Sequence, residues 1–173
     1  MRLFIAIRLN TEMKQLVGSI QNSFRRQSVR GNYTPDENLH LTLAFIGEYG
    51  DPDIVLEAME SVRFSPFPVT MDKVGCFDQL WWAGIEDCEE LDKLAGRVRR
   101  ALAEAGIPFD RQRFRPHVTF LRKAEYADRQ RISHLNIRPV TMRVDRISLM
   151  QSTRGKNGMI YTELGAVAAG DAL

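Results

Sequence analysis

Two short runs carry groups suited to chemistry. "HLTL" at residues 40–43 and "HVTF" at 117–120 each place a histidine two positions before a threonine. The chain has three histidines, and two of them fall in these runs. Histidine titrates near neutrality, so one imidazole can accept a proton while another, cationic, donates one. Two such groups across a cleft suit in-line displacement at phosphorus, where one activates water and the other protonates the leaving oxygen. Each supplies on the order of 10²–10⁴ in rate, or ~3–5 kcal/mol. A threonine hydroxyl on the same face can donate to a non-bridging phosphoryl oxygen as charge builds up in the transition state. His40, Thr42, His117 and Thr119 are the candidate site residues, and on paper the two motifs are chemically equivalent.

Other chemistries fit less well. Two histidines can ligate zinc, but a site needs a third ligand, and neither motif carries Asp, Glu or Cys on the histidine's face. No metal and no cofactor is expected. No G-x-S-x-G is present, and neither cysteine sits in a nucleophile setting. Cys76 and Cys88 form no C-x-x-C pair and read as two half-buried thiols. His134 lies outside both motifs and reads as a surface or capping residue.

The elements that must hold these groups follow from periodicity. Side chains alternate across a strand. In "LHLTLAFIG", His40, Thr42, Ala44 and Ile46 share one face; Leu39, Leu41, Leu43 and Phe45 share the other, so Phe45 reads as core. In the second run His117, Thr119 and Leu121 oppose Val118 and Phe120. The β-rich "LFIAIRL" precedes a helix over 11–27 with Met13, Leu16, Val17, Ile20 and Phe24 on one stripe. Asn10 or Thr11 can cap it. "RGNYTPDEN" reads as a polar loop. Asp51-Pro52 opens a second helix. "FPVTMDKVGCF" and "LWWAGI" read as strands, and adjacent strand residues point oppositely, so at least one of Trp81 and Trp82 belongs to the core. Residues 89–105 form the clearest helix, stopped by Gly106. Residues 125–135 are weakly helical, "VTMRVDRISLMQS" and "MIYTEL" are strands joined by the turn-rich "TRGKNG", and residues 166–173 are expected to fray.

This order contains a repeat. Strand (Phe4), helix, strand (His40) is matched by strand (Trp82), helix, strand (His117), with separations of 36 and 35 residues. A chain of 173 residues suits one domain, 1–173, built of two similar lobes. No stretch approaches the ~18–20 apolar residues of a membrane span, and the N-terminus does not read as a signal peptide. A cytoplasmic monomer without membrane attachment is expected. Net charge is +2, but unevenly spread: residues 1–96 carry −6 and residues 97–156 carry +10. That basic half suggests an anionic partner such as nucleic acid.

On "RLFIAI", "ENLHLTLAFIGE", "WWAGI", "FRPHVTFLR" and "SLMQSTRGKNGMIYTEL" the chain resembles the two-histidine (2H) phosphoesterases. Specifically, it resembles the bacterial and archaeal RNA 2′,3′-cyclic phosphodiesterases once described as 2′-5′ RNA ligases. The resemblance implies an α+β fold, bilobal, with two pseudo-symmetric lobes of antiparallel sheet flanked by helices around a central cleft. It implies metal-independent hydrolysis of RNA 2′,3′-cyclic phosphate ends to a 2′-phosphate. His40 would be the proton donor to the departing 3′ oxygen and His117 the proton acceptor that activates water. Thr42 and Thr119 would hold the phosphate. Arg122 matches a basic residue that lies near the phosphate in the family, although strict alternation puts it opposite His117 unless the strand bulges. Two readings stay open beside this one: an RNA-binding module without turnover, and the same chemistry on a cyclic nucleotide, a 2′-5′ oligonucleotide or in the ligation direction.

Overall fold

The structure is a computed structural model that describes residues 1–125 and 135–170. Its strands are β1 (Arg2–Arg8), β2 (Arg30–Tyr33), β3 (His40–Glu48), β4 (Phe67–Phe77), β5 (Leu80–Ile85), β6 (His117–Glu125), β7 (Val140–Val144), β8 (Arg146–Gly155) and β9 (Gly158–Ala168). Helices α1 (Thr11–Arg26), α2 (Pro52–Glu60) and α3 (Glu89–Glu104) complete the order, with a short 3₁₀ turn at Asp36–Asn38. The strands form two antiparallel sheets, β3-β1-β8-β9 and β2-β6-β5-β4-β7. The fold is α+β and bilobal, with the two sheets meeting along a central cleft and the helices on their outer sides. Among the described residues no helix is long and apolar enough to cross a membrane.

The helices begin and end where their sequences dictate. The Asn10 side chain accepts from the Met13 amide at 2.9 Å, capping α1. Asp51 caps α2 by accepting from the Asp53 amide at 3.0 Å, and Pro52 follows in the first turn. Gly106, at φ +71°, ends α3 in the left-handed conformation that glycine adopts without strain. Met13, Val17, Ile20 and Phe24 are buried from α1, and Leu91, Leu94, Ala95, Val98, Ala101 and Leu102 from α3.

The repeat is real, and its helices are exchanged. β1 pairs with β3, and β5 pairs with β6. Yet α1, which follows β1 and leads through β2 to β3, packs on β6 and β7 of the other sheet. Likewise α3, which connects β5 to β6, packs on β3. Phe24 of α1 meets Trp81 and Phe120 edge-on, with ring centroids 5.0 and 5.1 Å away. Register refines the sequence alignment of the two units: Ala6 stands opposite Thr42 and Trp82 opposite Thr119, so Ala6 rather than Phe4 corresponds to Trp82.

Three expectations change. "RGNYTPDEN" is not all loop, because Arg30–Tyr33 form β2, an edge strand on β6; its polar side chains hid it, since an edge strand need not be apolar. "VTMRVDRISLMQS" is two strands in different sheets, β7 on β4 and β8 on β1. Residues 166–170 do not fray: β9 runs to Ala168, and the amides of Ala169 and Gly170 donate to the carbonyls of Asp145 and Phe64, while residues 171–173 lie outside the described residues. The weak helix over 125–135 and His134 lie outside the described residues, apart from Glu125 at the end of β6 and Leu135.

Candidate active site

Each motif histidine is fixed by the residue two positions before it. His40 Nδ1 lies 2.7 Å from the Asn38 carbonyl, and His117 Nδ1 lies 2.6 Å from the Arg115 carbonyl. A carbonyl oxygen only accepts, so in both rings Nδ1 carries hydrogen and donates. Nε2 is left as the atom that takes or gives a proton. The local sequence arranges this. Pro116 biases Arg115 toward extended backbone, and the 3₁₀ turn at Asp36–Asn38 delivers the Asn38 carbonyl beside its own ring. Asn38 is itself anchored, its buried amide donating to the Met159 carbonyl of β9 at 2.9 Å.

The surroundings of the two rings differ. His40 packs on Phe4 at 4.8 Å and Tyr161 at 5.2 Å. Beside that cluster Ser148, fully buried on β8, donates to Glu163 at 2.6 Å, and Arg8 reaches the same carboxylate at 3.4 Å. Burial lowers the His40 pKa from its ordinary value. The nearby charges of Arg122 and His117 lower it further, against the opposing hydrogen bond to Asn38. His117 stands against Phe77 at 5.7 Å and Trp82 at 6.4 Å. Trp82 lies across Gly75, where an added Cβ would come within 2.4 Å of the indole. Trp81 is the core member of the pair, 2% exposed.

Two cavities open along the cleft. One, about 760 Å³, is lined by Phe4, His40, Thr42, Phe45, Arg122 and Tyr161 among others. The second, about 570 Å³, is lined by His117, Arg99, Arg113, Phe114 and Arg115, and shares Thr42 and Phe45 with the first. His40, Thr42, Arg122 and His117 are therefore brought together. Thr119 keeps His117's face, half-buried opposite Trp82, but lines neither cavity.

Phe45 is not core. It is half-buried, lines both cavities and carries the Arg2 guanidinium 5.0 Å over its ring. The physical reason is a bulge. Ile5 pairs with Ala44 but Ala6 pairs with Thr42, so Leu43 has no partner on β1 and the alternation slips by one. Leu43 and Ala44 both point inward, and Phe45 turns to the cleft. β6 does the same: Trp82 pairs with Thr119 and Trp81 with Leu121, skipping Phe120. Phe120 and Leu121 are both buried, and Arg122 is delivered to His40's side of the cleft. The requirement that strict alternation imposed on Arg122 is met by that bulge. Sequence reading missed Tyr161 and Phe4, each embedded in an ordinary strand run whose only unusual signal is an aromatic facing the motif strand.

Among the described residues no three His, Cys, Asp or Glu side chains converge as a metal ligand set would. The polar side chains that the two cavities bring together include both imidazoles, the Thr42 hydroxyl and the Arg122 guanidinium, groups able to move protons and to hold an anion.

A profile of the 2′-5′ RNA ligase superfamily matches residues 11–156. A Thermotoga maritima protein named RNA 2′,3′-cyclic phosphodiesterase is 31% identical, over 95% of this chain and 93% of its own. An Escherichia coli protein of the same name is 32% identical over 73% of this chain and 74% of its own. The crystal structure of E. coli LigT in apo form superposes with a TM-score of 0.80 at 27% identity, covering 97% of this chain and 96% of that one. LigT has also been crystallised with 3′-AMP. With its paired motifs, its exchanged lobes and these relatives, the chain belongs to the 2′-5′ RNA ligase superfamily.

Proposed function

We propose that this protein is an RNA 2′,3′-cyclic phosphodiesterase that opens the cyclic ester to a 2′-phosphate without a metal ion. The relatives' shared name supports the activity. What carries the mechanism is the matched tethering of His40 and His117, each by a carbonyl on Nδ1 that leaves Nε2 to the cleft. His117 takes a proton from water as the water oxygen bonds to phosphorus. The bond from phosphorus to the 3′ oxygen breaks, and His40 gives that oxygen a proton. Thr42 donates to a non-bridging oxygen, Thr119 on His117's face is the second candidate donor, and the Arg122 guanidinium offsets the charge that accumulates there. Burial disfavours the charged form of His40. An entering phosphodiester anion favours its charged form, so the substrate itself arms the donor.

The test uses an oligonucleotide ending in a 2′,3′-cyclic phosphate, in excess EDTA, with phosphorus NMR of the product. A 2′-monophosphate formed at an undiminished rate is expected. A 3′-phosphate product, or loss of turnover on chelation, overturns the reading.

A further inference from the structure

Gln21 is one of three buried polar or charged residues among those described, beside Asn38 and Ser148. It sits at 6% exposure in the otherwise apolar inner stripe of α1, between Val17, Ile20 and Phe24. A buried amide costs free energy unless its hydrogens are satisfied. Here both are used: Nε2 donates to the Thr34 carbonyl at 2.9 Å and to the Phe120 carbonyl at 3.1 Å. Phe120 is the residue that drops out of the β5–β6 register. The same carbonyl also accepts from the Thr34 amide at 3.0 Å.

The other lobe carries the counterpart. Arg99 of α3 donates from Nε to the carbonyl of Leu43, the residue skipped in β3, at 3.2 Å. Each exchanged helix therefore grips the bulge of the opposite sheet. The position of the grip is specific, because the bulge sets which face receives every later side chain of the strand.

We propose that Gln21 is a positioning residue for Arg122: by holding the Phe120 carbonyl it fixes the β6 bulge that turns Arg122 into the cleft beside His40. The consequence for activity rests on the function proposed above; the placement of Arg122 does not. The groups that face His40 are Arg122 and His117 from β6, Tyr161 from β9, and Arg8 from β1, the last ion-paired with Glu163. Gln21 is uncharged and not among them. It can move the His40 titration only through a group that is.

The experiment titrates His40 by proton NMR in the wild type, Gln21→Met, Arg122→Gln and the double variant, with assignments from His117→Ala and His134→Ala. Gln21→Met keeps the side chain's length and loses both donors. It is expected to raise the His40 midpoint in the same direction as Arg122→Gln, with no further rise in the double variant. In hydrolysis of the cyclic-phosphate oligonucleotide, each single variant is expected to lose about tenfold or more in kcat/KM, and the double no more than Arg122→Gln alone. A folded Gln21→Met whose His40 titrates as in the wild type overturns the proposal, as do losses that multiply. Should Gln21→Met melt too low to titrate, Gln21→Glu decides the same question, since a carboxyl of the same shape cannot make both bonds. If the wild type fails to hydrolyse the substrate, the functional reading falls, while the titration still decides the role of Gln21.

Discussion

Phe45 and Arg122 occupy the same place in the two lobes. Each stands five residues after a motif histidine, each follows a bulge, and each lines the cavity that holds His40. One lobe thus contributes a flat apolar ring to the cleft and the other a cation. A pseudo-symmetric frame presents an asymmetric pair of recognition groups, suited to a ligand with an aromatic base at one end and a phosphate at the other.

Replacement of either motif histidine by alanine removes a proton-transfer group, and at His40 it also removes the ring contacts with Phe4 and Tyr161. Each of His40→Ala and His117→Ala is expected to lower kcat by about 10²–10⁴-fold, while circular dichroism shows both folded and His40→Ala melting below His117→Ala. Wild-type rates in either variant contradict the assignment.

Arg122→Gln marks the limb of the pH profile that His40 sets. The variant removes a charge that lowers the His40 pKa, so that pKa rises. The limb of kcat/KM governed by His40 therefore moves upward, and a profile unmoved by the substitution contradicts a proton-transfer role for His40. Loss of a charge-assisted bond to phosphate worth ~1.5–3 kcal/mol adds a fall of about 10- to 100-fold in kcat/KM. A pH–rate series on both proteins reads the two effects at once.

The depressed His40 pKa also has a sign in stability. Below the unfolded-state value of about 6.5, the unfolded chain takes up a proton that the folded site resists. Stability from this group is therefore present above that pH and is lost as pH falls toward the folded pKa. Melting temperatures measured from pH 7.5 to 5.0 should fall less steeply in His40→Asn than in the wild type.

Gly31→Ala should disturb Arg122 from the backbone side. Gly31 sits at φ +148°, and an added Cβ would meet the Arg122 carbonyl at 2.7 Å and the Lys123 carbonyl at 3.0 Å. Both neighbours are backbone and cannot swing aside. Strain of this kind costs about 1–3 kcal/mol, a loss of roughly 2–4 °C in Tm per kcal/mol for a chain of this size. A drop in kcat/KM toward that of Arg122→Gln should accompany it.

Much of the site was legible because chemistry constrains residue type. His40, Thr42 and His117 could be read from their motifs, and all three line the cleft. What alternation could not yield was phase. Leu43 and Phe120 look like any inward strand residue, yet each is the extra residue of a bulge, and the side chain two positions on, Phe45 or Arg122, changes face. Phe45 was read as core for that reason, and Arg122 hung on an unseen bulge. The long helices and apolar strands were readable from period and caps. The polar edge strand β2 was not, because its pairing comes from β6 rather than from its own side chains. The break at Asp145 was hidden too, since both halves of that run favour strand and only the surrounding sheets decide that they part.

The exchange of α1 and α3 bears on how such a chain can exist at all. Neither β-α-β unit lays its helix on its own strands, and the apolar stripe of each helix finds its cover on the other unit. The whole is in effect a swapped dimer made covalent. Cut between α2 and β4, neither fragment would retain a covered helix, and the two should regain structure only when mixed.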